Sequence, residues 1–154
     1  YKVNWGGTYC IYPYHKTTNK VIEEKELSSK YPNVYSYLVE KKELLKGRDY
    51  FDKSSKLWYE LWCERNYIKF QQKKIINAEI SDNNRFYLDE TGFLGNTKTF
   101  STVLIKEWEQ HYNYILGVLN SKTLEFYHKQ ISVPKAGGFF EYKTQLLGRS
   151  RLPQ

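Results

Sequence analysis

The chain of 154 residues contains no methionine, not even at position 1, and it is poor in cysteine, histidine and proline. Each shortage excludes something. Cys10 and Cys63 lie 53 positions apart, with no C-x-x-C. That rules out a multi-bridge framework, leaves a single disulfide open, and reads as a pair of core thiols in a reducing cytoplasm. His15, His111 and His128 share no short metal-ligand spacing with one another or with the cysteines, so structural zinc lacks its four ligands. The four prolines are isolated, so no Asn/Asp-Pro-Pro-aromatic motif occurs. The nine glycines form no G-x-G-x-x-G, no Walker A loop and no G-x-S-x-G elbow. Long apolar runs are missing too. The densest, Ile115-Leu116-Gly117-Val118-Leu119, falls far short of the ~18–20 residues of a membrane span. No basic segment followed by an apolar one opens the chain, so no signal peptide is visible. The missing methionine points to an excerpt of a longer protein, with function divided between this piece and another.

Aromatic residues are plentiful, at 18% of the chain, and 15 of them are Tyr. With 40% apolar residues the chain can form a core, and its length suits one domain burying roughly 70% of its unfolded surface. Charge is unbalanced: 24 Lys+Arg stand against 17 Asp+Glu, net +7. Residues 1–77 hold 15 cations and 9 carboxylates, whereas residues 78–154 hold 9 and 8. Within the first half, Arg65-Asn66-Tyr67-Ile68-Lys69-Phe70-Gln71-Gln72-Lys73-Lys74 has four cations and no carboxylate, and interleaves Tyr67 and Phe70 with amides. Cations suit phosphates, amides suit base edges, and aromatics suit sugars or bases. A second basic stretch, from His128 to Arg151, sets Lys129, Lys135, Lys143, Arg149 and Arg151 against Glu141 alone.

Periodicity predicts the elements. Tyr9-Cys10-Ile11-Tyr12, stopped by Pro13, reads as a strand. Glu23 to Ser29 reads as one or two helical turns. Pro32 suits the first turn of a helix ending at Gly47, with Val34, Tyr37, Leu38, Leu44 and Leu45 at helical spacing. Leu57-Trp58-Tyr59-Glu60-Leu61-Trp62 reads as a packing element, because Trp supplies so much buried area. Strands are expected at Lys74–Ile80, Arg85–Asp89 and Asn96–Ile105, with a hairpin-like turn at Asp89-Glu90-Thr91-Gly92. From Gln110 the period becomes helical. A break at Asn120, with Ser121 as N-cap, starts a second helix running to Lys129. Ile131 to Val133 is expected to be extended, Ala136-Gly137-Gly138 to be a loop with unusual backbone angles, and Phe139–Tyr142 to be a short strand. A last short helix is expected from Lys143 to Leu147. The resulting class is α+β, a mostly antiparallel sheet packed with helices.

Glu23-Glu24-Lys25, Glu40-Lys41-Lys42 and Glu141-Tyr142-Lys143 each match the E-x-K half of a metal-dependent nuclease site. None has a visible upstream Asp to complete a metal pair. An enzyme reading therefore lacks a nucleophile, a metal set and a cofactor loop, and a metal-dependent nuclease stays as an alternative. A basic module docking an acidic protein is a second alternative.

Several segments together carry a resemblance. They are Ile11-Tyr12-Pro13-Tyr14, Lys30-Tyr31-Pro32, Tyr35-Ser36-Tyr37-Leu38, Leu44-Leu45-Lys46-Gly47-Arg48 and Trp58-Tyr59-Glu60-Leu61, followed by Lys74-Ile75-Ile76, Glu79-Ile80-Ser81, Arg85-Phe86-Tyr87-Leu88-Asp89, Glu125-Phe126-Tyr127 and Gln130-Ile131-Ser132. Leu116-Gly117-Val118-Leu119-Asn120-Ser121-Lys122 and Gly137-Gly138-Phe139-Phe140-Glu141-Tyr142-Lys143 complete the set. The chain resembles the TaqI-like C-terminal specificity domain, or target recognition domain, of adenine-N6 DNA methyltransferases and type IIG restriction-modification enzymes. The run Gly148 to Pro153 looks longer than that family's usual ending. The resemblance implies a single specificity domain over 1-154 that selects a sequence in double-stranded DNA. It implies no cofactor in this domain. S-adenosylmethionine and the Asn-Pro-Pro-Tyr site would belong to an N-terminal methyltransferase domain of the same protein, into which the target adenine is flipped.

The DNA-binding candidates are Arg65, Asn66, Lys69, Gln71, Lys73, Arg85, Asn96, Thr97 and Lys98, with Lys135 and Lys143 as phosphate candidates beside the double glycine. No catalytic or metal residue is expected. Trp58, Tyr59, Leu119, Asn120, Ser121, Phe126 and Tyr127 are expected to be scaffold.

Overall fold

A computed structural model describes residues 6–49 and 51–143. The helix expected from Lys143 to Leu147 and the run to Pro153 lie outside the described residues, apart from Lys143 itself, which is not helical. The chain divides between Ile68 and Lys69 into two compact units.

The first unit is helical. Helix α1 spans Glu24–Lys30, α2 spans Pro32–Glu40 and α3 spans Lys42–Lys46. Pro32 occupies the first turn of α2, where its missing N–H costs nothing. The helix expected to run unbroken to Gly47 is interrupted at Lys41, whose N–H bonds to the Leu38 and Val39 carbonyls. Ile22, Leu27, Leu38, Trp58 and Tyr59 form the core, with Val34, Tyr35 and Leu45 packed against it. Trp58 and Tyr59 are thus core, as their area predicts. Both also satisfy their polar ends: Trp58 Nε1 donates to Glu24 at 3.2 Å, and the Tyr59 hydroxyl to the Ile22 carbonyl at 2.7 Å.

The segment Tyr9–Tyr12 is not a strand. Only an isolated bridge forms nearby, between Tyr14 and Val21. Tyr9 and Ile11 are exposed, so no alternation buries one face. The tyrosines instead use their hydroxyls: Tyr12 donates to the Arg65 carbonyl, and Tyr14 accepts from the Leu61 N–H at 2.9 Å. Cys10 and Cys63 are free thiols and both are exposed, not core. Each lies on a segment without regular structure, beside exposed Tyr9 and Trp62, so no apolar layer covers it.

The second unit carries the sheets. Short helix α4, Tyr67–Gln71, crosses the division between units. Then come β1 (Lys74–Ala78), β2 (Ile80–Ser81), β3 (Tyr87–Asp89) and β4 (Thr99–Thr102). Helix α5 (Tyr112–Leu119), α6 (Lys122–Ile131), β5 (Pro134–Lys135) and β6 (Phe139–Glu141) follow. One sheet has the order β3-β1-β4 and the other β2-β6-β5, with every pairing antiparallel. The class is α+β, as expected. The turn at Asp89–Gly92 is not a hairpin, because β3 and β4 both pair with β1 rather than with each other. The expected strand from Asn96 shortens to four residues, and Ile131 closes α6 instead of extending.

Ile75, Phe86, Tyr112, Ile115 and Tyr142 form this unit's core. The Leu-Gly-x-Leu-Asn-Ser motif explains itself here. Ser121 caps α6, accepting from the Leu124 N–H. The Asn120 side chain takes the Phe86 N–H at 3.0 Å and donates to the Phe86 carbonyl at 3.0 Å, as a neighbouring strand would. Asn84 donates to the Leu119 carbonyl at 2.6 Å and accepts the Tyr142 hydroxyl at 2.9 Å. Phe126 and Tyr127 depart from the scaffold expectation: both are exposed on α6.

Candidate nucleic-acid interface

The cationic stretch Arg65–Lys74 is divided by the boundary between units. On the first unit, Arg65 is half-buried and Asn66 exposed. On the second, Lys69 is exposed near the end of α4, and Gln71 bonds to the Gly92 carbonyl at 3.4 Å. Gly92 has φ +80°, a left-handed backbone conformation that favours glycine at this turn. Lys73 pairs with Glu90 at 2.7 Å and lies 5.3 Å from the centre of the Tyr112 ring. Lys74, counted among the four cations of the stretch, is buried. It holds Asp89 at 2.5 Å and the Phe70 carbonyl at 2.5 Å, so it contributes nothing to the surface.

Arg85 is exposed but turned back on its own loop, at 2.7 Å from Asp82 and 3.0 Å from the Asn83 amide oxygen. The Asn96 side chain accepts from the Lys98 N–H at 2.8 Å, which closes the turn carrying exposed Thr97.

Three of the candidates do come together. Lys98 reaches Glu79 at 2.8 Å, and Lys143 reaches Glu79 at 3.6 Å and Glu141 at 3.4 Å. Lys135 reaches Glu141 at 2.7 Å. The result is one alternating row, Lys98–Glu79–Lys143–Glu141–Lys135. The lysine side chains are 72, 42 and 39% exposed in that order, but Glu79 and Glu141 only 15 and 13%. The cations therefore stand outward, over recessed carboxylates.

Backbone geometry fixes this row. Glu79 is the corner residue between β1 and β2, where the chain passes from one sheet to the other. Its N–H bonds to the Lys98 carbonyl at 2.8 Å, and its carbonyl accepts from the Tyr142 N–H at 2.7 Å. The Glu141 carbonyl takes the Ser132 hydroxyl at 2.6 Å and His128 Nε2 at 2.8 Å. The β5–β6 connection turns at Gly137 and Gly138, both with positive φ, as their sequence predicts. The hydrogen bond from Lys98 holds Glu79 below the usual carboxylate range, and the one from Lys135 does the same for Glu141. Both are ionised at neutral pH. Sequence reasoning missed the role of these two glutamates. The signal was present, since Glu79 and Glu141 are the carboxylates that punctuate otherwise cationic or neutral segments, but their sharing of Lys143 needs the sheet.

Two cavities lie elsewhere. One of about 570 Å³, within the first unit, sets Glu23, Glu60 and Glu64 against His15, Lys20 and Lys56, a wall of mixed charge in which Lys56 is already paired with Glu60 and Glu64. The other, of about 310 Å³, opens beside Lys73, Lys106 and Tyr112. Among the described residues, no three His, Cys, Asp or Glu side chains gather into a possible metal set, and no helix is long and apolar enough to cross a membrane.

Fold and surface together define an α+β module that presents outward lysines braced by the carboxylates of Glu79 and Glu141. The chain belongs to the TaqI-like C-terminal specificity domain family, which it matches over residues 1–153. It is also 28% identical, over 127 residues, to the Type II methyltransferase M.BanIII of Aneurinibacillus aneurinilyticus. That alignment covers 81% of this chain and 22% of the relative.

Proposed function

We propose that this chain is the sequence-selecting, duplex-DNA-binding domain of a larger adenine-N6 DNA methyltransferase. In this reading it positions a target site for a catalytic domain elsewhere in the same protein, which binds S-adenosylmethionine and receives the flipped adenine. Membership of the specificity-domain family and the likeness to a methyltransferase support the class. The observation that carries the reading for this molecule is the row of Lys98, Lys143 and Lys135. Lysines facing solvent from strand ends around the β1–β2 corner suit phosphate contacts, which fix register without reading bases. Base reading then falls to exposed polar side chains outside the row, with Asn66, Lys69, Gln71, Asn96 and Thr97 as candidates.

The test is fluorescence-anisotropy titration of this chain with duplex DNA at a series of salt concentrations. We expect log K to fall linearly with log salt, and each of K98A, K143A and K135A to reduce the slope by about 1. Binding that is indifferent to salt, or none at low salt, sinks the reading. In that case retention of an acidic protein would favour the protein-docking alternative.

A further inference from the structure

The recessed carboxylates of the lysine row have no obvious duty in folding. Ion pairs whose lysine end is open to solvent contribute little to stability, and four of them run through Glu79 and Glu141. Their placement has an electrostatic consequence. Seen from several ångströms away, the lysine and carboxylate charges largely cancel and leave the field of about one cation. At contact the cancellation fails, because the ammonium groups stand outward and the carboxylates lie behind them. A phosphodiester held loosely above the row is attracted weakly. One pressed against the lysines is attracted strongly.

We propose that Glu79, assisted by Glu141, restrains sequence-independent DNA binding by this domain. It keeps Lys98 and Lys143 partly neutralised for a backbone that only lies nearby, and releases them to one that fits closely. This rests on the DNA-binding reading above and deepens it. Specificity is a difference between affinities, and a built-in penalty on the wrong complex widens it as effectively as a new contact to the right one. Glu79 is well placed for this role, because its backbone is pinned at both ends, to Lys98 and to Tyr142. The corner that carries the carboxylate is therefore held in place by backbone hydrogen bonds.

The experiment compares this chain with E79Q and E141Q, using a random-sequence duplex as probe. E43Q is the control, removing a lysine-paired carboxylate from α3 on the other unit. All four proteins are checked for folding by thermal unfolding. E79Q should bind the duplex several-fold more tightly at about 50 mM salt, with a slope steeper by about 1, so that the gain shrinks roughly 3-fold by about 200 mM. E141Q should move in the same direction, and E43Q should move less. Unchanged or weaker binding by folded E79Q, or an equal gain in E43Q, overturns the proposal. If E79Q does not fold, E141Q is judged by the same criterion. A wild-type chain that shows no salt-dependent binding removes the DNA-binding reading itself. A salt-dependent wild type with an inert Glu79 removes only this inference.

Discussion

Asp89 shows how much one residue can hold. Burial works to raise its pKa, but hydrogen bonds from Lys74 and Thr91 win and keep it below the ordinary carboxylate value. It accepts from Lys74 Nζ at 2.5 Å, from the Thr91 N–H at 2.9 Å and hydroxyl at 2.8 Å, and from the Phe93 N–H at 2.9 Å. All of its acceptor capacity is used. Replacing it by Ala strands the Lys74 ammonium in the interior, and should destabilise the fold by about 3–5 kcal/mol in urea denaturation. Lys74→Ala should likewise unfold the chain rather than merely weaken DNA binding, unlike the surface lysines. Asn120→Ala should cost about 1–3 kcal/mol, since the Phe86 N–H loses its partner in a part-buried site. The cap at Ser121 is legible in sequence because donor and acceptor are three residues apart. The Lys74–Asp89 pair is not, because only the register of β1 on β3 places those residues opposite each other.

At the scale of elements, α6 is tied to β6 through His128. The ring is buried, stacks on Tyr142 at 4.2 Å between ring centres, and bonds to the Glu141 carbonyl. Burial pushes its pKa below the ordinary 6.5. The unfolded chain therefore binds the proton first as pH falls, so stability is complete above about 6.5 and is lost below it, toward the depressed native value. We expect the melting temperature to fall from pH 7 to pH 5 (about 2 units, spanning the histidine range), and His128→Phe to flatten that fall. A pH profile unchanged by the substitution would contradict this. Helices α1, α2, α5 and α6 were readable because their apolar spacing and caps are local, whereas the break at Lys41 and the short helix α4 were not. The strand expected at Tyr9–Tyr12 was not realised, because β-propensity needs a partner ladder, and the tyrosine hydroxyls found backbone groups at Leu61 and Arg65 instead.

Across the whole molecule, the net +7 resolves into different kinds of cation. Some are structural, as Lys74 is. Some are turned onto local acids, as Arg85 is onto Asp82 and Lys73 onto Glu90. Others face outward. Lys69→Ala should lower the salt slope of duplex binding by about 1. An unaltered slope would place that lysine off the DNA path. The stretch Arg65–Lys74, so uniform in sequence, belongs to both units and supplies one buried ammonium, so its charge count overstates its surface.

Sequence alone determined the class of fold, the helix starts at Pro32 and Ser121, the aromatic core at Trp58 and Tyr59, and the family. All of these depend on composition or on contacts a few residues apart. Tertiary structure decided which charges are available. Whether a lysine meets a carboxylate depends on strand register and on a chain corner, as where Glu79 joins Lys98 to Lys143, and those are distances in space that the order of residues does not state.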